Sequence, residues 1–121
     1  MTLDERKALR VDEVKSWFET ASEDAHCMSS AGFEINANST AKTNIDGLIE
    51  VMESGLLAEP QAFRAYDNSF HEVTLVNLKT MSLEVIANAQ KLYQQKWSLE
   101  AQIESATSLD ELLAIEIPEL S

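Results

Sequence analysis

Few residues in this chain have the chemistry of a catalytic nucleophile or base. The sequence holds one cysteine, Cys27, and two histidines, His26 and His71. Nucleophilic catalysis needs a serine, cysteine or threonine that a base activates and a third group orients. His26 and Cys27 are adjacent, and adjacent side chains on a helix point about 100° apart and do not meet. We therefore expect no Cys–His pair and no catalytic residues.

Metal and nucleotide sites are not indicated either. Cys27, His26 and His71 lack the spacing of a metal-ligand cluster, and no calcium-loop pattern of acids around a glycine occurs. The chain has only three glycines in total, too few and too dispersed for a glycine-rich phosphate loop. We expect no metal and no cofactor.

Adjacent carboxylates provide the remaining route to acid–base chemistry. Glu23 lies beside Asp24, and Asp110 lies beside Glu111. A catalytic acid and base need surroundings that move their pKa values apart, whereas acids on an acidic helix are usually solvated charges. The sequence therefore predicts a protein that is not an enzyme.

The charge of the chain restricts its partners. Twenty-one acids against nine lysines and arginines give a formal net charge of −12. Such a surface is repelled by nucleic-acid phosphates and by anionic lipids, so we expect a protein partner, with no direct nucleic-acid or membrane binding. The end from Ser98 to Ser121 has no lysine or arginine and favours a basic partner, unless it is simply a solvated face. Its acids are Glu100, Glu104, Asp110, Glu111, Glu116 and Glu119.

Length and composition indicate one folded domain, residues 1–121. The hydrophobic share of 45% and the charged share of 25% are those of a globular protein. The first ten residues, MTLDERKALR, are charged where a secretory signal needs an apolar run, and the lone Cys27 makes no internal disulfide. No apolar stretch approaches the roughly 20 residues of a membrane span. We expect a cytoplasmic, soluble protein.

Residues 1–30 have the pattern of an N-terminal helix, from about Leu3 to Met28. Apolar residues recur at three- and four-residue steps and form one stripe, with charged residues on the other face. We expect Gly32 to end this helix by adopting a left-handed conformation. The stripe consists of Val14, Trp17, Phe18, Ala21, Ala25 and Met28.

Residues 31–73 combine short strands with a second helix. Phe33–Asn36 alternates apolar and polar residues like a strand, and a helix follows that Ser39 or Thr40 caps and Gly55 ends. The buried stripe of that helix is predicted to be Ile45, Leu48, Ile49 and Met52.

Two further strands, Ala62–Tyr66 and His71–Val73, flank the turn-forming Asp67-Asn68-Ser69 and predict a hairpin. Together with the first strand they are expected to form a small three-stranded antiparallel sheet. Phe63 is expected to face the core beside Phe33.

Residues 74–121 are predicted to form a long helix and a short final one. Thr74 caps the long helix, which runs to about Ala106. Its apolar row predicts antiparallel packing on the N-terminal helix or, equally, on a second copy of the chain as a homodimer. The row is Leu78, Val85, Leu92 and Leu99, beside Met81, Ala89 and Ile103.

The final helix is predicted from Leu109 to about Ile115, with Leu109, Leu112, Leu113 and Ile115 folding back onto the long helix. The fold class is α+β, predominantly helical: a long helix in the C-terminal half packs with the N-terminal helix, and the strands lie in the middle.

Two surfaces are candidates for binding a protein. On the long helix, Ile86, Tyr93 and Trp97 form a second apolar line, and tyrosine and tryptophan are favoured at binding hot spots. The acids Glu100, Glu104, Asp110 and Glu111 follow that line. The alternative is that these aromatic residues pack under the first helix or the hairpin. A second patch, around the hairpin, comprises Arg64, Tyr66, Asp67 and His71.

A resemblance supplies a biological setting. The segments Gly32-Phe33-Glu34-Ile35-Asn36, Phe63 to Asn68 (FRAYDN), His71 to Leu75 (HEVTL), Leu92 to Trp97 (LYQQKW) and Ile103 to Leu112 (IESATSLDEL) carry it. In these segments the chain resembles a domain of unknown function that recurs in phage and prophage proteins near tail and tail-fibre genes. The likeness extends from Gly32 to Pro118. The N-terminal helix matches the family only in its general character and not in particular residues. The family has no assigned catalytic residues, so none are carried over.

The resemblance implies a phage accessory protein. We expect a tail component, or a chaperone that covers a sticky surface of a tail-fibre protein, in the host bacterial cytoplasm or in the virion. The alternative is an inhibitor of a host defence protein, whose carboxylates mimic nucleic-acid phosphates in a basic groove. An enzyme is the third reading and has no residue set to support it.

Overall fold

The computed structural model describes residues 1–118 and is mostly helical. The elements are α1 (Leu3–Glu23), β1 (His26–Met28), β2 (Glu34–Asn36), α2 (Ser39–Glu53), β3 (Gln61–Arg64), β4 (Phe70–Val73), α3 (Leu75–Ser105) and α4 (Leu109–Leu113). The strands form two antiparallel hairpins, which we call hairpin 1 (β1–β2) and hairpin 2 (β3–β4). The predicted fold class is confirmed. Within residues 1–118, no helix is both long and apolar enough to cross a bilayer.

By its internal contacts the chain divides into two compact units. Unit 1 combines residues 1–21 with the chain from Lys91 onward, and unit 2 is Ser22–Gln90. Helix α3 has 31 residues, about 46 Å at 1.5 Å per residue, and contributes its first half to unit 2 and its second half to unit 1.

The core of unit 1 lies between α1, the second half of α3, and α4. Val14 and Trp17 of α1 are buried in one cluster with Leu99 and Ile103 of α3. The predicted packing of the first helix on the long helix is therefore confirmed. Leu112 and Ile115 complete the cluster from the C-terminal side.

Two cationic side chains of α1 donate hydrogen bonds to backbone carbonyl groups around this core. The Lys7 ammonium donates to the Glu104 carbonyl at 2.9 Å, and the Arg10 guanidinium donates to the Ile115 carbonyl and to Glu13. These bonds occupy carbonyl groups at and beyond the end of α3, where the helix itself supplies no donor.

The core of unit 2 lies between α2, the first half of α3 and both hairpins. Ile45 and Met52 of α2 and Leu78, Met81 and Val85 of α3 are buried in it. Leu48 and Ile49 pack against the same cluster, which confirms the predicted stripe of α2. Phe63 and Phe33 also pack there, with ring centroids 6.2 Å apart, as predicted.

The N-terminal helix ends earlier than its apolar stripe predicts. Helix α1 stops at Glu23, and His26–Met28 is a strand, so Ala25 and Met28 do not extend the helical stripe. Partners distant in sequence override the local pattern: Asn38 Nδ2 donates to the Glu23 carbonyl at 3.0 Å, and Ala37 N–H donates to the Ala25 carbonyl at 2.8 Å.

Gly32 therefore serves a different purpose from the one predicted. It has φ +104° inside the turn of hairpin 1, where its N–H donates to the Ser29 carbonyl at 3.0 Å. That left-handed conformation favours glycine, so the residue shapes a hairpin rather than a helix end.

Helix α3 holds this turn through one carboxylate. Glu84 accepts the Ser29 hydroxyl at one oxygen and the Ser30 N–H at the other, both at 2.8 Å. Ser29 is buried, and Glu84 accepts the hydrogen bond of its hydroxyl while the Ser29 oxygen itself accepts the Ala31 N–H at 3.1 Å, so the buried hydroxyl is satisfied as donor and as acceptor.

The predicted three-stranded sheet is wrong. The strands form two separate two-stranded sheets, which a backbone bond of 2.9 Å from Tyr66 N–H to the Glu34 carbonyl connects without a ladder. Strand β3 ends at Arg64, and the chain then turns, with the Asn68 N–H donating to the Ala65 carbonyl at 3.0 Å and Asn68 at φ +70°, so Tyr66 meets Glu34 from a turn and not from a strand.

Helix boundaries follow capping chemistry. Thr74 and Asn77 cap α3 reciprocally, each accepting the other's N–H, as predicted for Thr74. Gly55 follows the end of α2 with φ +83°, also as predicted. The α2 cap is Asn38, which accepts the Ala41 N–H, rather than Ser39 or Thr40. The Asn38 side chain makes a second bond that a serine or threonine hydroxyl at this position would not make in the same way, since its amide also donates to the Glu23 carbonyl.

The final helix is shorter than predicted and buries only one side. Helix α4 ends at Leu113, with Ser108 as its N-cap. Leu112 and Ile115 are buried as predicted, but Leu109 is 38% exposed and Leu113 is 62% exposed. Residues four apart share one face of a helix, and that face of α4 points to solvent.

Two leucines of α3 provide a matched test of this packing. Leu78 is fully buried in unit 2, whereas Leu83 is 67% exposed on the same helix. We expect Leu78→Ala to lower the free energy of unfolding by about 2–5 kcal/mol and Leu83→Ala by less than about 0.5 kcal/mol. Urea denaturation measures both, and equal losses would contradict the described face of α3.

Candidate protein-binding surfaces

A hydrogen-bonded chain of side chains forms in the turn of hairpin 2. The Ser69 hydroxyl donates to Asp67 Oδ1 at 2.5 Å, and Ser69 Oγ lies 2.9 Å from His71 Nε2. The Ser69 backbone N–H also donates to Asp67 Oδ1, at 3.0 Å. Both bonds hold the pKa of the Asp67 carboxyl below its ordinary value, and the bond from the Ser69 hydroxyl has the larger effect.

This order of groups is not that of an activated serine. An ionised Asp67 accepts the hydrogen bond of the Ser69 hydroxyl, so the proton of that hydroxyl points away from His71 and His71 Nε2 donates to Ser69 Oγ. A serine nucleophile needs the opposite arrangement, with the base accepting its proton and the carboxylate behind the base. The contact stabilises a turn.

Both histidines stack on an aromatic ring of the other hairpin. His26 of β1 lies on Tyr66 with ring centroids 4.0 Å apart, and His71 of β4 lies on Phe33 at 4.1 Å with an interplanar angle of 8°. His26 Nδ1 is also 2.9 Å from Glu34 Oε1. Each hairpin thus supplies one histidine and one aromatic ring, and we call the pair of contacts the reciprocal stacks.

The patch predicted at Arg64, Tyr66, Asp67 and His71 is only partly gathered. Tyr66, Asp67 and His71 lie together around the reciprocal stacks. Arg64 pairs with Phe70 across hairpin 2, whereas His71 pairs with Phe63. Successive residues of a strand point to opposite faces, so Arg64 lies on the opposite side of the hairpin from His71.

Cys27 and His26 occupy a strand instead of the predicted helix. Adjacent strand residues point to opposite faces, so the directions of these two side chains are set by strand geometry and not by the helix geometry that the sequence predicted. Cys27 lies opposite Ile35 in the register and is half-buried against the core of unit 2.

An acidic side of α2 lines a shallow, open depression of about 340 Å³, formed by Asp46, Ile49, Glu50 and Glu53. Asp46 is engaged locally: the Lys42 ammonium and then the Ser82 hydroxyl lower the pKa of its carboxyl. Across residues 1–118, no three histidine, cysteine or acidic side chains converge in a way that could hold a metal ion.

The second half of α3 presents an aromatic and acidic surface in unit 1. Tyr93, Trp97, Glu100 and Glu104 are spaced at i, i+4, i+7 and i+11, which places them on one face of the helix. We call these four residues the α3 stripe. Tyr93 is 43% exposed and Trp97 is 52% exposed, and their ring centroids are 5.6 Å apart.

Phe18 of α1 extends this surface. Its ring centroid lies 4.9 Å from that of Tyr93, and the Lys96 ammonium lies 4.8 Å above the Phe18 ring. Tyr93 therefore packs partly on the first helix, yet nearly half of it remains accessible. Ile86, the third residue of the predicted apolar line, is 50% exposed and belongs to unit 2.

The two acids of the α3 stripe keep their charge available. Among the described residues, neither the Glu100 nor the Glu104 carboxylate has a hydrogen-bond or ion-pair partner. The nearby Lys7 bonds the backbone carbonyl of Glu104. Glu104 is exposed and Glu100 is half-buried. Carboxylates without an intramolecular partner, beside exposed aromatic rings, are suited to a partner with both apolar and cationic groups.

The remaining predicted acids differ in their surroundings. The Glu111 carboxylate accepts the Thr107 N–H at 2.6 Å and the Thr107 hydroxyl at 2.9 Å. Both bonds lower the pKa of its carboxyl, and the backbone bond has the larger effect. Asp110 is exposed in the first turn of α4. Glu119 lies outside the described residues.

Sequence patterns did not single out Phe18, His26, Phe33 or Glu34 for these surfaces. Phe18 was assigned to the buried stripe of α1. It is only partly buried, and a place at the edge of that stripe was the signal that could have indicated this. The partners of His26 became apparent only with hairpin 1, because the sequence pattern placed His26 on a helix.

Comparison with known proteins assigns the chain to a family. Residues 5–117 match the family model described as Domain of unknown function (DUF4376). The chain belongs to this family. The match includes most of α1, so the DUF4376 likeness extends further toward the N-terminus than the predicted start at Gly32. Neither the curated proteins nor the solved structures gave a match.

The reciprocal stacks of this DUF4376 chain can be tested at Tyr66. Tyr66→Leu removes the ring on which His26 lies, and we expect a loss of about 0.5–1.5 kcal/mol in the free energy of unfolding. The control is Phe70→Leu, since Phe70 is 69% exposed on the same hairpin. Urea denaturation compares the two variants. A loss no larger for Tyr66→Leu than for the control would show that the stack contributes nothing.

The Glu111 cap predicts a pH dependence. Its folded-state pKa lies below the ordinary value, so its stabilisation is present above that value and is lost as the pH falls through the folded-state pKa. We expect Glu111→Gln to unfold more easily than wild type at pH 7, with the difference disappearing well below about pH 4. Glu116→Gln, an exposed charge in the same segment, is the control in thermal denaturation. A pH-independent difference for Glu111→Gln would contradict the cap.

Proposed function

We propose that this DUF4376 chain acts without catalysis, by binding another protein through the α3 stripe. The observation that supports this is the exposure of Tyr93 and Trp97 on the same helix face as two carboxylates that have no ion-pair partner among residues 1–118. Large aromatic residues left on a surface are characteristic of interaction sites, and tryptophan and tyrosine dominate binding hot spots.

We further propose a phage setting, in which the chain is a tail-associated component or a tail-fibre assembly chaperone in the host bacterial cytoplasm. The resemblance carried by Phe63–Asn68 and Ile103–Leu112 supports this setting. A chaperone covers apolar surface on an immature partner, and a surface of exposed rings bordered by acids suits that task because it is both adhesive and soluble.

Affinity purification from phage-infected cells tests the proposal. Tagged wild-type protein is compared with Trp97→Ala, and co-purifying tail or fibre proteins are quantified by mass spectrometry. Since truncating a hot-spot residue costs about 2 kcal/mol or more, we expect roughly thirtyfold weaker binding by the variant. The control is Phe70→Ala, another exposed aromatic residue but in unit 2.

The outcomes are distinct. Loss of a tail or fibre protein from Trp97→Ala but not from Phe70→Ala supports the proposal. Equal recovery by all three proteins, or recovery of no tail protein by wild type, contradicts it. Trp97 is half exposed, so its replacement is expected to leave the unfolding transition nearly unchanged, and thermal denaturation verifies this.

A second candidate function is inhibition of a host nucleic-acid-binding defence protein by charge mimicry. The formal charge of −12 favours it. However, six of the nine lysines and arginines lie in unit 1 with the C-terminal acids, and Glu111 is engaged in its own helix cap. The affinity of a charge mimic for its target should fall steeply as the salt concentration rises, whereas the affinity of a contact made by apolar surfaces should change little.

A further inference from the structure

We infer that the segment received by the α3 stripe is a basic amphipathic helix, which carries lysines or arginines beside an apolar row. This inference rests on the proposed function and specifies the chemistry of the partner. It follows from the order of groups along one helix face: two rings followed by two carboxylates.

The length of the stripe favours a helix as the occupant. From Tyr93 to Glu104 it covers twelve residues, whose Cα atoms span about 16 Å along the axis at 1.5 Å per residue. That distance is close to three helical turns, so residues at i, i+4, i+7 and i+11 of a partner helix can meet it along its whole length.

The charge of the stripe favours a basic occupant. The Glu100 and Glu104 carboxylates have no ion-pair partner among residues 1–118, and Lys7 is engaged by a backbone carbonyl. An acidic segment would meet repulsion at both carboxylates.

The Phe18 side of the surface limits where the partner's cations can lie. Lys96 already occupies the face of Phe18, at 4.8 Å from its centroid. The partner's lysines or arginines therefore belong at the Glu100 and Glu104 end, and its apolar row belongs over Tyr93 and Trp97.

Two synthetic peptides of about 18 residues test the inference. Both have the same leucine stripe at helical spacing, but one carries lysines and the other carries glutamates at the flanking positions. Binding to the full chain is measured by the shift of the Trp97 indole N–H resonance, which Trp97→Phe assigns against buried Trp17. We expect the lysine peptide to bind at least tenfold more tightly and to move the Trp97 signal.

A matched pair of variants separates the stripe from the overall charge. Glu100→Gln with Glu104→Gln removes two charges from the stripe, and Asp12→Asn with Glu116→Gln removes two exposed charges elsewhere in unit 1. We expect the first pair to weaken binding of the lysine peptide by about fivefold, from two exposed ion pairs, and the second pair to weaken it less than twofold.

Each outcome decides the inference. Equal weakening by both pairs of variants, or lysine-peptide binding that leaves the Trp97 signal unmoved, shows general attraction to an acidic protein and overturns it. Equal binding of the lysine and glutamate peptides overturns it as well. If Trp97→Ala still loses the tail protein in that case, the proposed function stands and only the basic partner is wrong.

Discussion

Each hydrophobic core of this protein depends on apolar residues of α3. Leu78 and Val85 of α3 belong to the cluster of unit 2, and Leu99 and Ile103 belong to that of unit 1. Within each half of α3 these residues recur at a seven- or four-residue step, so each half presents an apolar face to the core of its own unit. The α3 stripe is a consequence of this constraint, since a helix that commits one face to packing leaves the other for solvent or for a partner.

The sequence predicted the helices well because their signals are local. The heptad row of α3, its Thr74 cap and the end of α2 before Gly55 depend on neighbours within a few residues, and each was predicted correctly. The exposure of Tyr93 and Trp97 was one of two alternatives, because periodicity shows which residues share a face and does not show what covers that face.

The errors fall where distant residues decide the conformation. His26–Met28 fits a helical stripe, yet it becomes a strand because Ala25 and Glu23 are bonded by Ala37 and Asn38. The split of one predicted sheet into two hairpins, and the reciprocal stacks between them, likewise depend on pairs about 40 residues apart. No short pattern in a single sequence encodes such pairs.

The Glu84 carboxylate has a consequence for the order in which the protein is made. It bonds Ser29 and Ser30 from 55 and 54 residues further along the chain, and it holds the turn of a hairpin whose strands have three residues each. A two-stranded hairpin of that length is marginal in water by itself. During synthesis, hairpin 1 therefore gains this support only after Glu84 has been translated, when the chain is already more than 50 residues past the turn that Glu84 holds.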